Sequence, residues 1–350
     1  MTARKKVLIV DDSKVVQHVL TEILSLDDSI EVVGTASDPF EAYEKIEVLK
    51  PDVITLDVEM PGMNGIDFLR TLLKRHPLPV VMISSYTRKN NDIAIEALAA
   101  GAFDIATKPL DNPAEGLRRL QKEIIEKIKI AAAHPDIHIP SLGQKKEETF
   151  SNESFPEDHV ILIGASTGGI QAVEYILKNL PSRISGIVIA QHIPPSFVAS
   201  VAKRLDSCSN LIVREARDGD IVKHGKVFIG PGRKQMRLKK SNTGYVLTIS
   251  ERSADEIYAP SIDILFSSAV ESLGKRALAI LLTGMGRDGA EGMLKLKQAG
   301  AHTITQDYTS SMVFGMPKAA IELQAAQEII HLESIPQAII KYLQSVNRKA

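Results

Sequence analysis

Short apolar runs alternate with segments of helical periodicity along the first part of the chain. After the first run, Val16, Val19, Leu20 and Ile23 recur three and four positions apart, the spacing of one helix face. Continuous runs rich in valine and isoleucine are typical of strands buried on both faces of a parallel sheet. This alternation predicts a doubly wound parallel α/β sheet, with strands at residues 6–10, 32–36, 53–56, 79–83 and 103–107.

The same alternation returns in the second part of the chain. After the apolar run at residues 160–163, apolar residues recur at helical spacing over residues 172–180. Another helix is predicted at residues 262–270. Asn-Thr-Gly at residues 242–244 separates two short apolar segments, which indicates a β-hairpin. We therefore predict a second parallel sheet with an antiparallel edge hairpin. Its parallel strands are expected at residues 160–163, 186–190, 211–213, 226–229, 277–282 and, as the last, 302–305.

A stretch without periodicity separates the two parts. Residues 134–158 contain three prolines and the charged run Lys-Lys-Glu-Glu, a composition that cannot bury a core. The chain of 350 residues is long enough for two domains. We predict an N-terminal domain at residues 1–124, a linker at 125–157 and a C-terminal domain at 158–347.

Composition and charge narrow the class of protein. The formal net charge of −1 gives no electrostatic reason to expect nucleic acid as a partner. One cysteine, Cys208, allows no intrachain disulfide, which fits a reducing compartment. The first apolar run is too short for a signal peptide, and no run is long enough to span a bilayer. We expect a cytoplasmic protein without direct membrane insertion.

Charged and hydroxyl side chains follow four predicted strands of the N-terminal domain: Asp11, Asp12, Asp57, Ser84 and Lys108. Ligands bind at the carboxyl ends of the strands in such sheets, so these groups are expected to converge. Three carboxylates there predict a divalent cation, and oxygen ligands with room for water favour Mg²⁺. Any one of the aspartates could simply cap the next helix. Three aspartates, a serine and a lysine at the ends of four strands, in this order, instead favour a phosphoryl-transfer site.

This arrangement resembles the receiver domain of two-component response regulators over about the first 120 residues. The resemblance also rests on Met-Pro-Gly-Met-Asn-Gly at residues 60–65 and on Lys108-Pro109. It implies that a partner histidine kinase phosphorylates Asp57, and that Ser84 and Lys108 sense the phosphoryl group. One departure is Ile105, because receivers commonly carry an aromatic residue three positions before the lysine.

A serine lies in a glycine turn at residues 164–169, Gly-Ala-Ser-Thr-Gly-Gly, between a predicted strand and a helix. Such a turn projects the Ser166 hydroxyl clear of the sheet, beside backbone N–H groups that can stabilise an oxyanion. A phosphate-binding glycine loop with an incidental serine is the alternative, since short glycine patterns recur by chance.

His192 and Asp288 each follow a later parallel strand, so both are expected at the same sheet edge as Ser166. A histidine that takes the serine proton, oriented by a carboxylate, would activate the hydroxyl as a nucleophile. Asp288 could also cap the helix that begins at Gly289. Asp263 and Asp307 compete with it for the role of third residue.

Several motifs together resemble the catalytic domain of the CheB family, the bacterial chemotaxis protein-glutamate methylesterases. The resemblance implies a triad of Ser166, His192 and Asp288, with Thr167 and Met285 shaping the site around the nucleophile. Gln235 departs from the family, in which a histidine is common at that position. The motifs are residues 164–169, Gln-His at 191–192, Pro-Ser-Ile-Asp at 260–263, Leu-Thr-Gly-Met-Gly-Arg-Asp-Gly at 282–289 and Met-Pro at 316–317.

The two resemblances imply a flavodoxin-like receiver joined to a Rossmann-like methylesterase. The expected activity is demethylation of glutamate methyl esters on methyl-accepting chemotaxis receptors, with glutamine deamidation as a second activity. A chemotaxis histidine kinase is the expected phosphodonor, Mg²⁺ belongs to the receiver, and ester hydrolysis needs no cofactor. We hypothesise that the unphosphorylated receiver covers the active-site rim. The alternative is a response regulator with a binding output, such as an adaptor or a DNA-binding domain, but the latter needs a compact helical module.

Overall fold

The computed structural model describes residues 3–58, 60, 65–85, 88–108, 113–134 and 155–348. These residues fall into two compact units, one on either side of the gap at residues 135–154. Most of the predicted linker, residues 61–64 of the receiver motif and Pro109 lie outside the described residues. Among the helices that are described, none is long and apolar enough to cross a membrane.

The first unit is a parallel five-stranded sheet with the strand order β2-β1-β3-β4-β5. The predicted doubly wound sheet is thus confirmed, and β1 lies at the point where the strand order reverses. Its elements are β1 (Lys5–Val10), α1 (Lys14–Leu24), β2 (Ile30–Ala36), α2 (Pro39–Leu49), β3 (Val53–Asp57), α3 (Gly65–Arg75), β4 (Val80–Ser85), α4 (Arg88–Ala100), β5 (Asp104–Lys108), α5 (Pro113–Arg119) and α6 (Gln121–Ala133).

Polar caps hold the loops at the carboxyl ends of the first strands. Ser13 begins α1, and its hydroxyl accepts a hydrogen bond from the backbone N–H of Val16. Asp38 begins α2 in the same way, with a proline at the first helical position. The buried amide of Gln17 donates to the carbonyl of Asp11 at 2.6 Å and to that of Ala36 at 3.1 Å. These bonds fix the loop that carries the first two aspartates.

Helix α6 extends the first unit beyond the predicted boundary at residue 124. Its apolar face, including Ile124, Ile128 and Ala131, is buried, and α6 contacts β1, β3, β4 and β5. Lys127 Nζ bonds Asp104 Oδ1 at 3.0 Å at the start of β5. Residues 125–133, which the sequence analysis placed in the linker, therefore pack with the first unit. The apolar spacing of this helix was visible in the sequence, but its docking partner was not.

The second unit contains a parallel seven-stranded sheet with the order β15-β14-β13-β6-β7-β10-β8. Strand β6 lies between β7 and β13, which makes it the switch point of this sheet. The elements are β6 (Val160–Ala165), α7 (Gly169–Lys178), β7 (Gly186–Gln191), α8 (Pro195–Cys208), β8 (Ile212–Glu215), β9 (Ile221–Val222), β10 (Lys226–Ile229), β11 (Lys234–Ser241), β12 (Gly244–Glu251), α9 (Ile262–Ser272), β13 (Ala277–Leu281), α10 (Ala290–Gln298), β14 (His302–Gln306), α11 (Met316–Glu322), β15 (Glu328–Ile330) and α12 (Ile335–Asn347).

The second unit also contains a separate antiparallel sheet and an additional edge strand, neither of which was predicted from the sequence. The predicted hairpin is present as β11 and β12, and it forms a three-stranded antiparallel sheet of its own with β9. The strand predicted as the last, now β14, is followed by β15, which pairs with it at the sheet edge. Strand β15 has only three residues, Glu-Ile-Ile, which is too short for a strand pattern to be recognised in the sequence.

Helix α9 packs closely on the central strand of this sheet. A Cβ atom added at Gly164, near the end of β6, would lie 2.3 Å from Ile262 Cγ2 and 3.0 Å from Leu281 Cδ1. A Cβ atom added at Gly289, after β13, would lie 2.6 Å from the same Ile262 Cγ2 atom. Both glycines therefore let the start of α9 approach the strand ends, where the predicted site residues follow.

We expect Gly164→Ala to lower the free energy of unfolding of the second unit by about 1–3 kcal/mol, because it overpacks the contact with Ile262. The cost of Gly164→Ala should be smaller in an Ile262→Ala background, since the nearest clashing atom is then absent. Urea unfolding of the four proteins of this double-mutant cycle measures both effects. Equal costs in the two backgrounds would contradict this account of the contact.

Candidate active site and acidic pocket

Ser166 lies in the turn between β6 and α7, as predicted. Its backbone N–H donates to the Thr283 carbonyl at 3.0 Å, and its own carbonyl accepts from the Gly169 N–H at 2.8 Å. Gly168, the residue before α7, has φ of +76°, which favours glycine. The Ser166 turn is thereby fixed both to its own helix and to the end of β13.

His192 lies beside the Ser166 turn, directly after the neighbouring strand β7. Ala165 is paired with Gln191, so Ser166 and His192 each come one residue after that pair. The His192 N–H donates to the Ala165 carbonyl at 3.0 Å, and the Gln191 side-chain amide donates to the Ser166 carbonyl at 2.9 Å. Two hydrogen bonds thus hold the backbones of Ser166 and His192 together.

Asp288 is the carboxylate that contacts His192. Its Oδ2 atom lies 2.8 Å from His192 Nε2 and accepts the backbone N–H of Ile262 at 2.8 Å. Its Oδ1 atom accepts from the Ser261 hydroxyl at 2.9 Å and from the Asp263 N–H at 3.0 Å. Asp288 therefore binds the amino end of α9, in place of the helix after Gly289 that the sequence suggested as its alternative role.

Electrostatics keep Asp288 ionised although its side chain is buried. Burial disfavours the charged form, but the His192 hydrogen bond and charge, with the backbone N–H groups of Asp263 and Ile262, outweigh it. The pKa of Asp288 therefore lies below its ordinary value. A helix amino end, with its unpaired N–H groups and partial positive charge, is a suitable partner for such a carboxylate.

The two competing carboxylates are engaged elsewhere. Asp263 Oδ1 accepts the Gly292 N–H at 2.6 Å, and burial, followed by the nearby charge of Asp288, raises the pKa of Asp263. Asp307 accepts hydrogen bonds from Ser310 and Thr309 in the loop after β14. Among the three candidates, the structure brings Asp288 to His192.

The two residues predicted to shape the site lie in the loops around Ser166. The Thr167 carbonyl accepts a hydrogen bond from the Thr283 hydroxyl at 3.0 Å. Met285 follows in the loop after β13 and is 38% exposed. A Cβ atom at the intervening Gly284 would lie 2.6 Å from Ser166 Cβ, so a larger residue there would displace the serine.

An acidic pocket lies at the carboxyl edge of the first sheet. Lys108 Nζ bonds Asp57 Oδ2 at 2.7 Å and Asp11 Oδ2 at 2.9 Å. One carboxylate oxygen from each of Asp11, Asp12 and Asp57 lies within 4.8 Å of the others, and Asp12 is exposed. Ser84 is buried in β4, next to the strand that ends in Asp57. The structure therefore brings Asp11, Asp12, Asp57 and Lys108 together at this edge, with Ser84 buried on the adjacent strand.

Charge balance in this pocket fits a divalent cation. Burial is the largest influence on Asp11 and raises its pKa, against the attraction of Lys108. Burial opposes the charge of Lys108 too, but Asp57 and Asp11 outweigh it and raise the pKa of Lys108. One ammonium group does not balance three carboxylates, so the pocket has an excess of negative charge. Hard oxygen ligands of this kind, one of them open to solvent, suit Mg²⁺.

Comparison with known proteins places both units. Residues 161–339 match the family model of the CheB methylesterase, and residues 7–121 match that of the response regulator receiver domain. A protein-glutamate methylesterase/protein-glutamine glutaminase of Methylobacillus flagellatus is 42% identical over 349 residues, covering 99% of this chain and 98% of that protein. The chain belongs to the CheB methylesterase family.

Other members of the CheB family agree with this assignment. A protein-glutamate methylesterase/protein-glutamine glutaminase of Syntrophotalea carbinolica is 41% identical over 350 residues, covering 98% of this chain and 99% of that protein. The crystal structure of the Thermotoga maritima CheB methylesterase catalytic domain aligns with a TM-score of 0.51 and 38% identity. It covers 53% of this chain and 98% of its own length.

Three residues near the site were not identified as site residues from the sequence. Thr283 is buried, and its hydroxyl links the Thr167 carbonyl to the backbone of Val313. Tyr258 stacks on the His192 ring, and Gln235 holds the Tyr258 carbonyl at 2.7 Å. Thr283 lies within the motif at residues 282–289, and Tyr258 lies two residues before the motif at 260–263. These motifs could have pointed to both residues. Gln235 lies in a hairpin strand, where nothing in the sequence indicates its contact.

We expect the Mg²⁺ affinity of the acidic pocket to increase with pH. The increase should occur at pH values higher than those at which an ordinary aspartate ionises. The raised pKa of Asp11 means that its carboxyl group keeps its proton to higher pH than the ordinary value of 3.8. Mg²⁺ has to displace that proton in order to bind. Isothermal titration calorimetry of the whole chain over a series of pH values measures the effect.

Asp11→Asn should weaken Mg²⁺ binding and remove this pH dependence. Asp28→Asn is the matched control, because it makes the same change of charge at an exposed aspartate outside the pocket. An affinity independent of pH in the unmodified protein would contradict the prediction.

Proposed function

We propose that this chain is a phosphorylation-activated serine hydrolase acting on chemoreceptors. It removes methyl esters from glutamate side chains, releasing methanol, and it deamidates glutamine side chains. The observation that carries the proposal is the 2.8 Å hydrogen bond between His192 and Asp288, directly beside the Ser166 turn. The names of the relatives support the same two activities.

Ser166 is the nucleophile in the proposed reaction. Asp288 holds Nε2 of His192, so the N–H lies on Nε2 and the lone pair on Nδ1, which serves as the base. As Ser166 Oγ attacks the ester carbonyl carbon of the substrate, its proton passes to His192. The carbonyl oxygen becomes an oxyanion, and we assign its stabilisation to backbone N–H groups near Ser166 and Thr167.

Collapse of this tetrahedral intermediate breaks the bond to the methoxy group. His192 returns the proton to the leaving oxygen, methanol departs, and an acyl group remains on Ser166. Water then attacks the acyl carbon with His192 again as base, the bond to Ser166 Oγ breaks, and His192 returns the proton to that oxygen as glutamate is released. A glutamine side chain follows the same course with ammonia as the leaving group. We assign Thr167 and Met285 to the shaping of this site, and ester hydrolysis requires no cofactor in this mechanism.

Asp57 is the proposed phosphorylation site of the receiver. Its carboxylate oxygen attacks the phosphorus of a phosphohistidine on a chemotaxis histidine kinase. The phosphorus–nitrogen bond breaks, and the histidine nitrogen keeps the electron pair. Asp11, Asp12 and Asp57 would hold Mg²⁺, which when bound offsets the negative charge of the phosphoryl group. Lys108 and the Ser84 hydroxyl then bond phosphoryl oxygens and sense the modification.

We further propose that the first unit acts as the regulatory domain and the second as the catalytic domain. The boundaries assigned from the sequence are residues 1–124 and 158–347, with 125–157 between them. The packing of α6 supports a functional receiver that continues to about residue 133. The rival proposal of an adaptor or DNA-binding output gains no support from the arrangement of Ser166, His192 and Asp288.

Methanol release from methylated chemoreceptor membranes tests the catalytic proposal. We expect Ser166→Ala to lower the rate by about 10⁴-fold or more, since it removes the nucleophile. Asp288→Asn should lower kcat by about 10²–10⁴-fold, because the oriented tautomer of His192 is lost. Ser207→Ala, at an exposed serine on α8, is the matched control. Unchanged release in Ser166→Ala would contradict the assignment.

Activation by phosphorylation is tested with a small phosphodonor and Mg²⁺. We expect methanol release by the unmodified chain to rise at least several-fold, because phosphorylation of Asp57 changes the hydrogen bonds of Lys108. Asp57→Asn should abolish the rise while leaving the basal rate measurable. Asp28→Asn should respond as the unmodified chain does. A rise that persists in Asp57→Asn would place the phosphoryl acceptor elsewhere.

A further inference from the structure

We infer that Tyr258 is a positioning residue for His192, and that the stack of the two rings sets the reactivity of Ser166. The inference rests on the proposed function, because it assigns His192 the role of base. The ring centroids lie 4.6 Å apart and the planes differ by 9°, so one face of the imidazole is covered by the tyrosine ring. Parallel aromatic rings at this separation attract each other.

The hydrogen bond to Asp288 by itself restrains the imidazole incompletely. The χ2 torsion of histidine is broad, so the ring can rotate about the Cβ–Cγ bond. Nε2, which bonds Asp288, lies closer to that rotation axis than Nδ1 does. A rotation that strains the Asp288 bond only slightly therefore moves Nδ1, the proposed basic nitrogen, over a longer path. A ring packed on the face of the imidazole opposes this rotation directly.

Tyr258 is itself fixed by a buried side chain. Gln235, which is fully buried in β11, donates to the Tyr258 carbonyl at 2.7 Å and to Glu256 Oε2 at 3.1 Å. The Gln235 carbonyl oxygen accepts the Ser261 N–H at 2.9 Å. The glutamine thus holds the chain on both sides of Pro260, and with it the position of the tyrosine ring.

The same short segment supplies both restraints on His192. Tyr258 covers the face of the imidazole, and four residues later the backbone N–H of Ile262 binds Asp288, which holds the edge. One stretch of chain that leads into α9 therefore restrains both the face and the edge of the imidazole. A change in this segment would move the two restraints together.

The stack also favours the state that forms during catalysis. When His192 takes the serine proton it becomes an imidazolium, and the face of an aromatic ring attracts a cation. This attraction is absent while the ring is neutral, so it stabilises the transition state more than the ground state. Tyr258 is 40% exposed, so its replacement leaves no closed cavity in the core.

The test compares Tyr258→Leu with Tyr258→Phe in the full-length chain, activated by phosphodonor and Mg²⁺. Methanol release gives kcat and KM. Labelling by phenylmethylsulfonyl fluoride gives the reactivity of Ser166 without a receptor: Ser166 Oγ forms a bond to sulfur, fluoride leaves, and His192 takes the proton. Tyr308→Leu is the matched control, since Tyr308 is an exposed tyrosine whose ring meets another aromatic ring, that of Phe314, edge to face. Ser166→Ala supplies the blank.

We expect Tyr258→Leu to lower kcat and the labelling rate by about tenfold, with KM changed less than twofold. Tyr258→Phe, which keeps the ring, should stay within about twofold of the unmodified chain in every measurement. Tyr308→Leu should label at the unmodified rate. Circular dichroism melts of the variants confirm that folding is retained.

Three results would overturn the inference. Leucine and tyrosine at position 258 giving equal labelling rates would show that the stack is dispensable. A rise of KM alone would make Tyr258 a substrate contact. An equal loss in Tyr258→Phe would assign the effect to the hydroxyl group. If the unmodified chain is labelled at Ser166 but releases no methanol, the proposed substrate fails, and the labelling rates still decide the role of Tyr258.

Discussion

The hydrogen bond between Asp288 and His192 is the interaction on which the arrangement of the candidate active site depends. It exists because the amino end of α9 binds the same carboxylate through Ser261, Ile262 and Asp263. The helix end offsets the cost of burying a charge, so the carboxylate stays ionised and can orient an imidazole. The carboxylate that contacts the imidazole therefore also caps a helix.

Close backbone packing is the second constraint on this site. Gly164 admits α9 to the end of β6, and Gly284 admits the loop after β13 to Ser166. Any side chain at either position would meet neighbouring atoms at less than 3 Å. The geometry of Ser166, His192 and Asp288 is therefore set by how tightly three strand ends and one helix approach each other, as well as by the residues themselves.

Both units use the same architectural feature for different chemistry. Each has a strand at which the order of the parallel sheet reverses, β1 in the first unit and β6 in the second. In the first, the neighbouring strand ends carry Asp11 and Asp57, whose charges are partly balanced by Lys108. In the second they carry Ser166, His192 and Asp288, and a hydrogen bond joins the last two. In both units the parallel sheet brings the residues that follow its strands to one edge, and the types of these residues determine the chemistry that is possible there.

From the sequence by itself, the strand–helix alternation and the residues after each strand could be predicted, because both depend on local periodicity. Parallel strands place such residues at one edge, which was enough to select Ser166, His192 and Asp57. Only the tertiary structure decided that Asp288, and neither Asp263 nor Asp307, meets His192. It also decided that Tyr258 stacks on that ring and that α6 docks on the first sheet. These contacts join residues far apart in the chain, and close packing selects them, which no local pattern records.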